Sequence, residues 1–463
     1  MKKIHFLVCF LAAYPVYLFA QQGEWGKFQT QLRLYSMMED NQDPLLDYTG
    51  TAIGGKIRYE TPRWNNIKGV FGVYGSGFLQ DNVSSDRLEP LAGNRGSRYV
   101  AGLVDTTNLD NNHVAGVGEA YLSYLGENLA LNIGRFKLDT PFINPQDGRM
   151  LPTLEQGIWA KVKVDSDWSL QSGFINAFWN RSTPDWKDVE DSLGYGYEMG
   201  KSVDGVNGNY YANTSSGGVL IINLGYERSA LRIDLWDYYV ENIFNLGYIE
   251  ALYTQKNDPF TFIYGVQGIY ESEVGDGGNN EDNGETATEV QKAKSYMAKD
   301  EESVTYGAKF ALEYQTSRVT LAYNRTTDRG RFLFPREWGK EPLYTFQKRE
   351  RSDGSGNSHA WLVTVEHDFS DYGTKGLSIL AGYGEYDKSD PKEWRYNKYG
   401  TPSYAQWNID LFYRFQGALK GLRAEYLIAR KVARGETYQE SGYSYIYRKN
   451  GMNIHNFILN YDF

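Results

Sequence analysis

The sequence predicts an all-β protein, a transmembrane antiparallel β-barrel of about eighteen strands. Three observations point to it. Apolar residues recur at every second position from the end of the N-terminal segment to Phe463, the period of a strand with two unlike faces. Aromatic residues make up 15% of the 463 residues, yet the mean hydropathy is only −0.56, so the apolar side chains are diluted by polar ones at close range. The predicted strands are joined by long and short links in alternation, as in outer-membrane barrels with extracellular loops and periplasmic turns.

The first twenty residues read as a secretory signal: Lys2 and Lys3, an apolar run from Ile4 to Ala13, and a tail ending at Ala20. Residues 21–463 are then one barrel domain, expected in the bacterial outer membrane. The only cysteine, Cys9, lies inside the signal, which excludes a disulfide scaffold and cysteine-based metal or nucleophile chemistry in the exported chain. A formal net charge of −10 argues against nucleic acid as a partner. Beyond the N-terminus no run of ~20 apolar residues exists to cross a bilayer as a helix.

The first strand, 25–35, sends Phe28, Thr30, Leu32 and Leu34 outward and Lys27, Gln29, Gln31 and Arg33 inward. The series continues at 53–60, 69–79, 117–125, 129–137, 157–165, 168–178, 219–227 and 230–239. It then runs through 246–254, 260–270, 304–315, 318–325, 359–369, 376–385, 405–416 and 421–431. The last strand, 453–463, alternates Phe457, Leu459, Tyr461 and Phe463 with Asn456, Asn460 and Asp462. Its aromatic end is the kind of signal that the barrel-insertion machinery reads, which makes that machinery an expected partner. Aromatic residues gather at strand ends and aliphatic ones in the middle, a girdle that a soluble sandwich does not need. Long links (36–52, 80–116, 138–156, 179–218, 271–303, 326–358) follow odd-numbered strands, and turns such as 166–167 and 228–229 follow even-numbered ones.

The third of the long links carries a motif. Gly134 in a strand is followed by Pro141, then Asp147-Gly148-Arg149-Met150-Leu151-Pro152, and then Gly157. This resembles the OprD-type outer-membrane porin family, with weaker likeness from Leu32-Arg33-Leu34-Tyr35 to Gly421-Leu422-Arg423-Ala424-Glu425-Tyr426. The resemblance implies an eighteen-stranded monomeric barrel, a channel for small solutes such as amino acids or organic carboxylates, and a third loop folded into the lumen as a constriction. Glu119 stands where a basic residue is expected from the resemblance, so a particular solute does not carry over. On the residues alone, Pro141, Pro145 and Pro152 keep the loop from pairing as a strand. Asp147 and Arg149 then serve either to touch solute or to salt-bridge the loop to the wall, and the anchoring role is the commoner one for an ordered Asp–Arg pair. Asp147, Arg149 and Pro152 are the candidate constriction residues.

Strand phase assigns the lumen charges. Arg33, Lys56, Arg58, Arg414 and Arg423 form a candidate basic stripe, brought together because barrel closure makes the last strands neighbours of the first. Asp234, Glu250 and Glu313 form a candidate acidic wall on the far side. Opposed walls would orient zwitterions and pass carboxylates between weak sites. The plainer alternative is that each charge pairs with a neighbour and only defines the bore.

Other chemistry is not legible. His113, His359, His367 and His455 form no metal-binding or zincin spacing, and no Gly-x-Ser-x-Gly elbow occurs. His367, outward between Val365 and Phe369, marks a membrane interface. Gly200-Lys201-Ser202 lacks the first glycine of a phosphate loop, since position 195 is Tyr. Residues 275–284 have the oxygen-rich composition that Ca²⁺ favours but not the EF-hand order, so a solvated loop and no cofactor are expected. Arg325–Arg331 and Lys348–Arg351 make the seventh long loop basic, for lipopolysaccharide heads or for drawing anions to the mouth. The expected function is passive diffusion of small hydrophilic solutes, with or without selectivity, through a non-enzymatic porin. The alternative is a surface adhesin or assembly barrel whose long loops bind partners.

Overall fold

The computed structural model describes residues 25–43, 45–89, 96–146, 148–281, 284, 286–435 and 450–463; the signal-like segment and Asp147 lie outside them. Eighteen strands form the wall. They are β1 (Lys27–Asn41), β2 (Tyr48–Glu60), β3 (Ile67–Asp81), β4 (His113–Leu125), β5 (Leu129–Phe136) and β6 (Leu154–Lys163). Next come β7 (Trp168–Trp179), β8 (Val219–Arg228), β9 (Leu231–Val240), β10 (Phe244–Asn257), β11 (Phe260–Glu273) and β12 (Glu302–Tyr314). The wall ends with β13 (Ser317–Thr326), β14 (Ser358–Asp368), β15 (Leu377–Asp387), β16 (Tyr404–Arg414), β17 (Leu422–Ala433) and β18 (Met452–Asp462). Each pairs antiparallel with the next, and β1 closes on β18 from Gln31–Asp462 to Asn41–Met452. Closure leaves no open edge, so backbone groups are paired within the wall as lipid requires. A three-residue strand, Trp186–Asp188, pairs with the end of β7 and does not enter the wall.

The two faces follow the alternation. On β8, Leu220, Ile222 and Leu224 are about two-fifths exposed on the outer face, whereas Val219, Ile221 and Asn223 are fully buried inside. On β12 exposed Tyr306 and Tyr314 mark the two ends of the outward face. His367 lies on that face near the short-turn rim, with Ser317 Oγ at 2.8 Å from Nδ1 and its ring edge-on to Phe369.

Each predicted strand is present, but several reach farther toward the long-loop rim. Residues 36–41 and 48–52, expected in a loop, continue β1 and β2 and shrink that link to 42–47. Both faces there carry polar residues, as on Ser36, Glu39, Asp40, Thr49 and Thr51, so the hydrophobic alternation fades although the pairing continues.

Inside the barrel two apolar clusters hold loops against the wall. One packs Tyr99, Val100, Ala101, Leu103 and Val104 from the 82–112 loop with Met150 and Leu151 onto β1–β4 and β18. The other packs Phe142 and Ile143 with Phe332, Leu333, Phe334 and Trp338 onto β7–β11. Trp338, fully buried, stacks on Phe178 with ring centroids 4.7 Å apart, and Phe142 meets Tyr238 edge-on at 5.4 Å. Such aromatic pairs add about 0.5–1.5 kcal/mol each beyond their buried area. The third loop therefore folds inward, together with the loops at 82–112 and 327–357.

Candidate functional site

The loop at 137–153 is positioned from both ends. Gly134 on β5 faces Gly157 on β6 across the ladder. A Cβ on Gly134, whose φ is +126°, would sit 2.3 Å from the Ala120 carbonyl, and one on Gly157 would sit 2.0 Å from that of Phe174. The inner wall is thus bare where the loop leaves it. The loop is then stitched to residues 327–357. Asn144 Nδ2 donates to the Lys340 carbonyl (3.0 Å), Gln146 Nε2 to that of Arg336 (2.6 Å), and Thr153 Oγ1 to that of Glu337 (3.1 Å).

The space left between the loops forms two cavities. The larger, about 810 Å³, opens toward the long-loop side and is bounded by Tyr35, Tyr99, Arg149, Arg181 and Arg349 among others. The smaller, about 340 Å³, lies toward the short-turn side and includes Arg33, Lys56, Lys137, Asp139, Met150 and Pro152. Gln146 and Lys340 line both, so the two cavities adjoin there.

Cations dominate that path. Arg149 and Arg349 lie on Tyr99, each with its guanidinium carbon 5.6 Å from the ring centroid. Arg349 Nη2 also donates to the Tyr35 hydroxyl (2.8 Å) and Asn456 Oδ1 (2.7 Å), and Arg181 Nε to the Tyr197 hydroxyl (2.9 Å). Among the described residues no carboxylate lies within salt-bridge distance of Arg149, Arg181 or Arg349. Burial, and then repulsion from Arg349 and Arg181, push the Arg149 pKa well below its ordinary value. A guanidinium does not readily shed its proton, so the penalty is relieved by an anion placed beside it.

The predicted residues separate into groups. Arg33 and Lys56 face the lumen and line the smaller cavity. Arg33 Nη1 donates to the Arg149 carbonyl and Nε to Asn460 Oδ1 (2.6 Å), so the constriction loop is tied to β1 through its backbone. Arg58 is on the same face but is held by Glu60 and Glu119, the latter at 2.9 Å. Arg414 and Arg423 face each other across β16 and β17 near the short-turn rim, where Arg423 pairs with Asp462 at 2.6 Å; neither lines a lumen cavity. On the far side Asp234 accepts from Arg232 (2.7 Å), Glu250 faces Lys309 (3.5 Å), and Glu313 accepts from Arg318 (2.7 Å). Pro152 lines the smaller cavity. The expected Asp147–Arg149 pair is outside the described residues because Asp147 is.

Sequence reasoning missed the seventh long loop as a wall element. Residues 348–351 do not project from the rim toward lipid heads. Lys348 Nζ reaches Asp410 Oδ1 (2.8 Å) and Glu425 on the wall, and Arg351 chelates Asp353 and lies 3.7 Å over the Tyr399 ring. Despite its burial, the ammonium of Lys348 is held above its usual pKa by Asp410 and Glu425. The apolar run Phe332-Leu333-Phe334 with Trp338, out of place in a solvated loop, was the signal that could have revealed the inward fold.

A closed eighteen-stranded barrel that keeps polar cavities between inward loops is the architecture of an outer-membrane channel for small solutes, not of an enzyme. The chain belongs to the OprD family: the family model described as "outer membrane porin, OprD family" matches residues 125–445. No curated protein sequence matches the chain. Similar solved structures include OpdK of Pseudomonas aeruginosa with vanillate, at 15% identity and TM-score 0.66 over 94% of this chain and 98% of that one. OccK9 (OpdG) of the same organism has 17% identity and TM-score 0.69 over 94% and 97%. OccAB2 of Acinetobacter baumannii has 16% identity and TM-score 0.72 over 96% and 99%. At these identities the likeness is one of fold.

Proposed function

We propose that the channel passes small organic anions, carboxylates foremost, by passive diffusion along the Arg349, Arg149, Lys340, Arg33 and Lys56 side of the lumen. The observation that carries this reading is the imbalance of pairing. Arg149, Arg181 and Arg349 border the larger cavity with no described carboxylate in reach, while Asp234, Glu250 and Glu313 each have a cation. A field set by guanidinium groups without a carboxylate in reach among the described residues, in a narrow, low-dielectric passage, concentrates anions and offers them several weak sites in series. The solved structure of OpdK with vanillate, itself a carboxylate, is consistent with this chemistry but belongs to a distant relative. In this reading the long loops serve the pore, which disfavours an adhesin, since the 327–357 loop is turned inward. Reversal potentials across a salt gradient in planar bilayers test it: an anion-preferring pore is expected, and a cation-preferring pore would reject it.

A further inference from the structure

Three inward loops meet on one aromatic ring. Tyr99, from the loop at 82–112, borders the larger cavity and is 5% exposed. The guanidinium carbons of Arg149, from the loop at 137–153, and of Arg349, from the loop at 327–357, each lie 5.6 Å from its ring centroid. That of the neighbouring Arg98 lies 4.8 Å from the same centroid. Granted the anion reading of the lumen, on which this rests, we propose that Tyr99 is the positioning residue of the anion path: its ring, not its hydroxyl, holds Arg149 and Arg349 at the larger cavity.

The ring is fixed from the wall. Glu39 on β1, 2% exposed, accepts from the Tyr99 N–H and from Ser97 Oγ (2.6 Å), and Ser97 Oγ in turn accepts from the Val100 N–H (2.8 Å). Apart from the ring, Arg149 has little to hold it. Among the described residues its guanidinium donates only to the Gly148 carbonyl of its own loop (3.0 Å), and it is repelled by Arg349 and Arg181. The 82–112 loop leaves it room, since a Cβ on Gly102 would sit 2.9 Å from Arg149 Nε. A ring attracts a cation without neutralising it, so Tyr99 can keep like charges near one another and leave them available to a passing anion, where a carboxylate would cancel them. The Tyr99 hydroxyl is buried with no hydrogen-bond partner among the described residues, which leaves the role to the ring.

Reversal potentials of the full chain in planar bilayers across a KCl gradient test it through replacements at this one position. Tyr99→Phe, the conservative variant, is expected to keep most of the parent's anion preference. Tyr99→Leu, which removes the ring, should lower the chloride-to-potassium permeability ratio at least about threefold. Pentafluorophenylalanine in place of Tyr99 keeps the shape of the ring, and so the folding of the loop, but withdraws negative charge from its face. It should lower the ratio as far as Tyr99→Leu does, a response that a purely structural role would not give. An anion-preferring parent whose preference survives in the Tyr99→Leu or the pentafluorophenylalanine chain, or is lost in Tyr99→Phe, would overturn the role of Tyr99 and leave the lumen reading standing. A parent without anion preference would overturn both.

Discussion

Asn144 Nδ2 donates a hydrogen bond to the Lys340 carbonyl at 3.0 Å, joining two loops 196 positions apart in the chain. The same amide's oxygen accepts from the Lys340 N–H at 3.2 Å, so one side chain clasps the second loop by both backbone groups. Asn144 is 3% exposed, and nothing else replaces these bonds when it is truncated.

Asn144→Ala leaves a buried donor and acceptor without partners, a loss of about 1–3 kcal/mol. The barrel wall does not depend on this contact, so heat-modifiability on gels should stay unchanged. Single-channel records should show the loops opening roughly tenfold more often. Quiet records identical to the parent would show that the clasp does not hold the constriction.

A side chain at Gly339 tests the same contact from the other loop. A Cβ there would sit 1.7 Å from the Phe142 carbonyl, a distance that backbone must move to relieve. Gly339→Val should separate the two loops and shift unitary conductance by a measurable step, whereas Gly373→Ala, strained locally by its φ of +82° but with open space around the Cβ and far from the loops, should leave conductance unchanged.

Lys348 bridges Asp410 on β16 and Glu425 on β17. Lys348→Met removes one positive charge and uncovers two carboxylates on the same wall. Anion preference, read from reversal potentials, should fall by more than in Arg414→Ser/Arg423→Ser, whose charges lie at the short-turn rim and outside both lumen cavities. An equal or smaller fall would return the selectivity to the rim pair.

The acidic side should respond in the opposite sense. Glu250 is paired with Lys309, and Glu313 with Arg318. Glu250→Gln frees Lys309, and Glu313→Gln leaves Arg318 only Glu366 at 3.9 Å, so both should raise anion preference. Because Arg318 is more exposed than Lys309, solvent screening should make the Glu313 effect the smaller of the two.

The wall was legible because period-two alternation is a local property: each strand displays its two faces in its own residues, as Leu220 to Leu224 do. Where the wall rises past the girdle, as in Ser36–Asn41, the outward face turns polar and the signal disappears while the hydrogen bonds continue. Phase assigns a strand charge to a face, but it says nothing of partners. Whether Arg58 is free depends on Glu119, sixty-one positions on, and whether Glu250 is free depends on Lys309. Arg149, Arg181 and Arg349, which border the larger cavity, sit in loops, whose course is decided by distant packing such as Phe334 against Phe142 at 4.9 Å.

The account turns on the Arg149 and Arg349 guanidinium groups against Tyr99, which have no carboxylate in reach among the described residues. The most direct measurement is the zero-current potential across a KCl gradient in planar bilayers, for the parent channel and for Arg149→Gln/Arg349→Gln. A parent that prefers chloride, with that preference largely lost in the double variant while the barrel still conducts, is the predicted result. A parent without chloride preference, or a double variant that keeps all of it, would contradict the account.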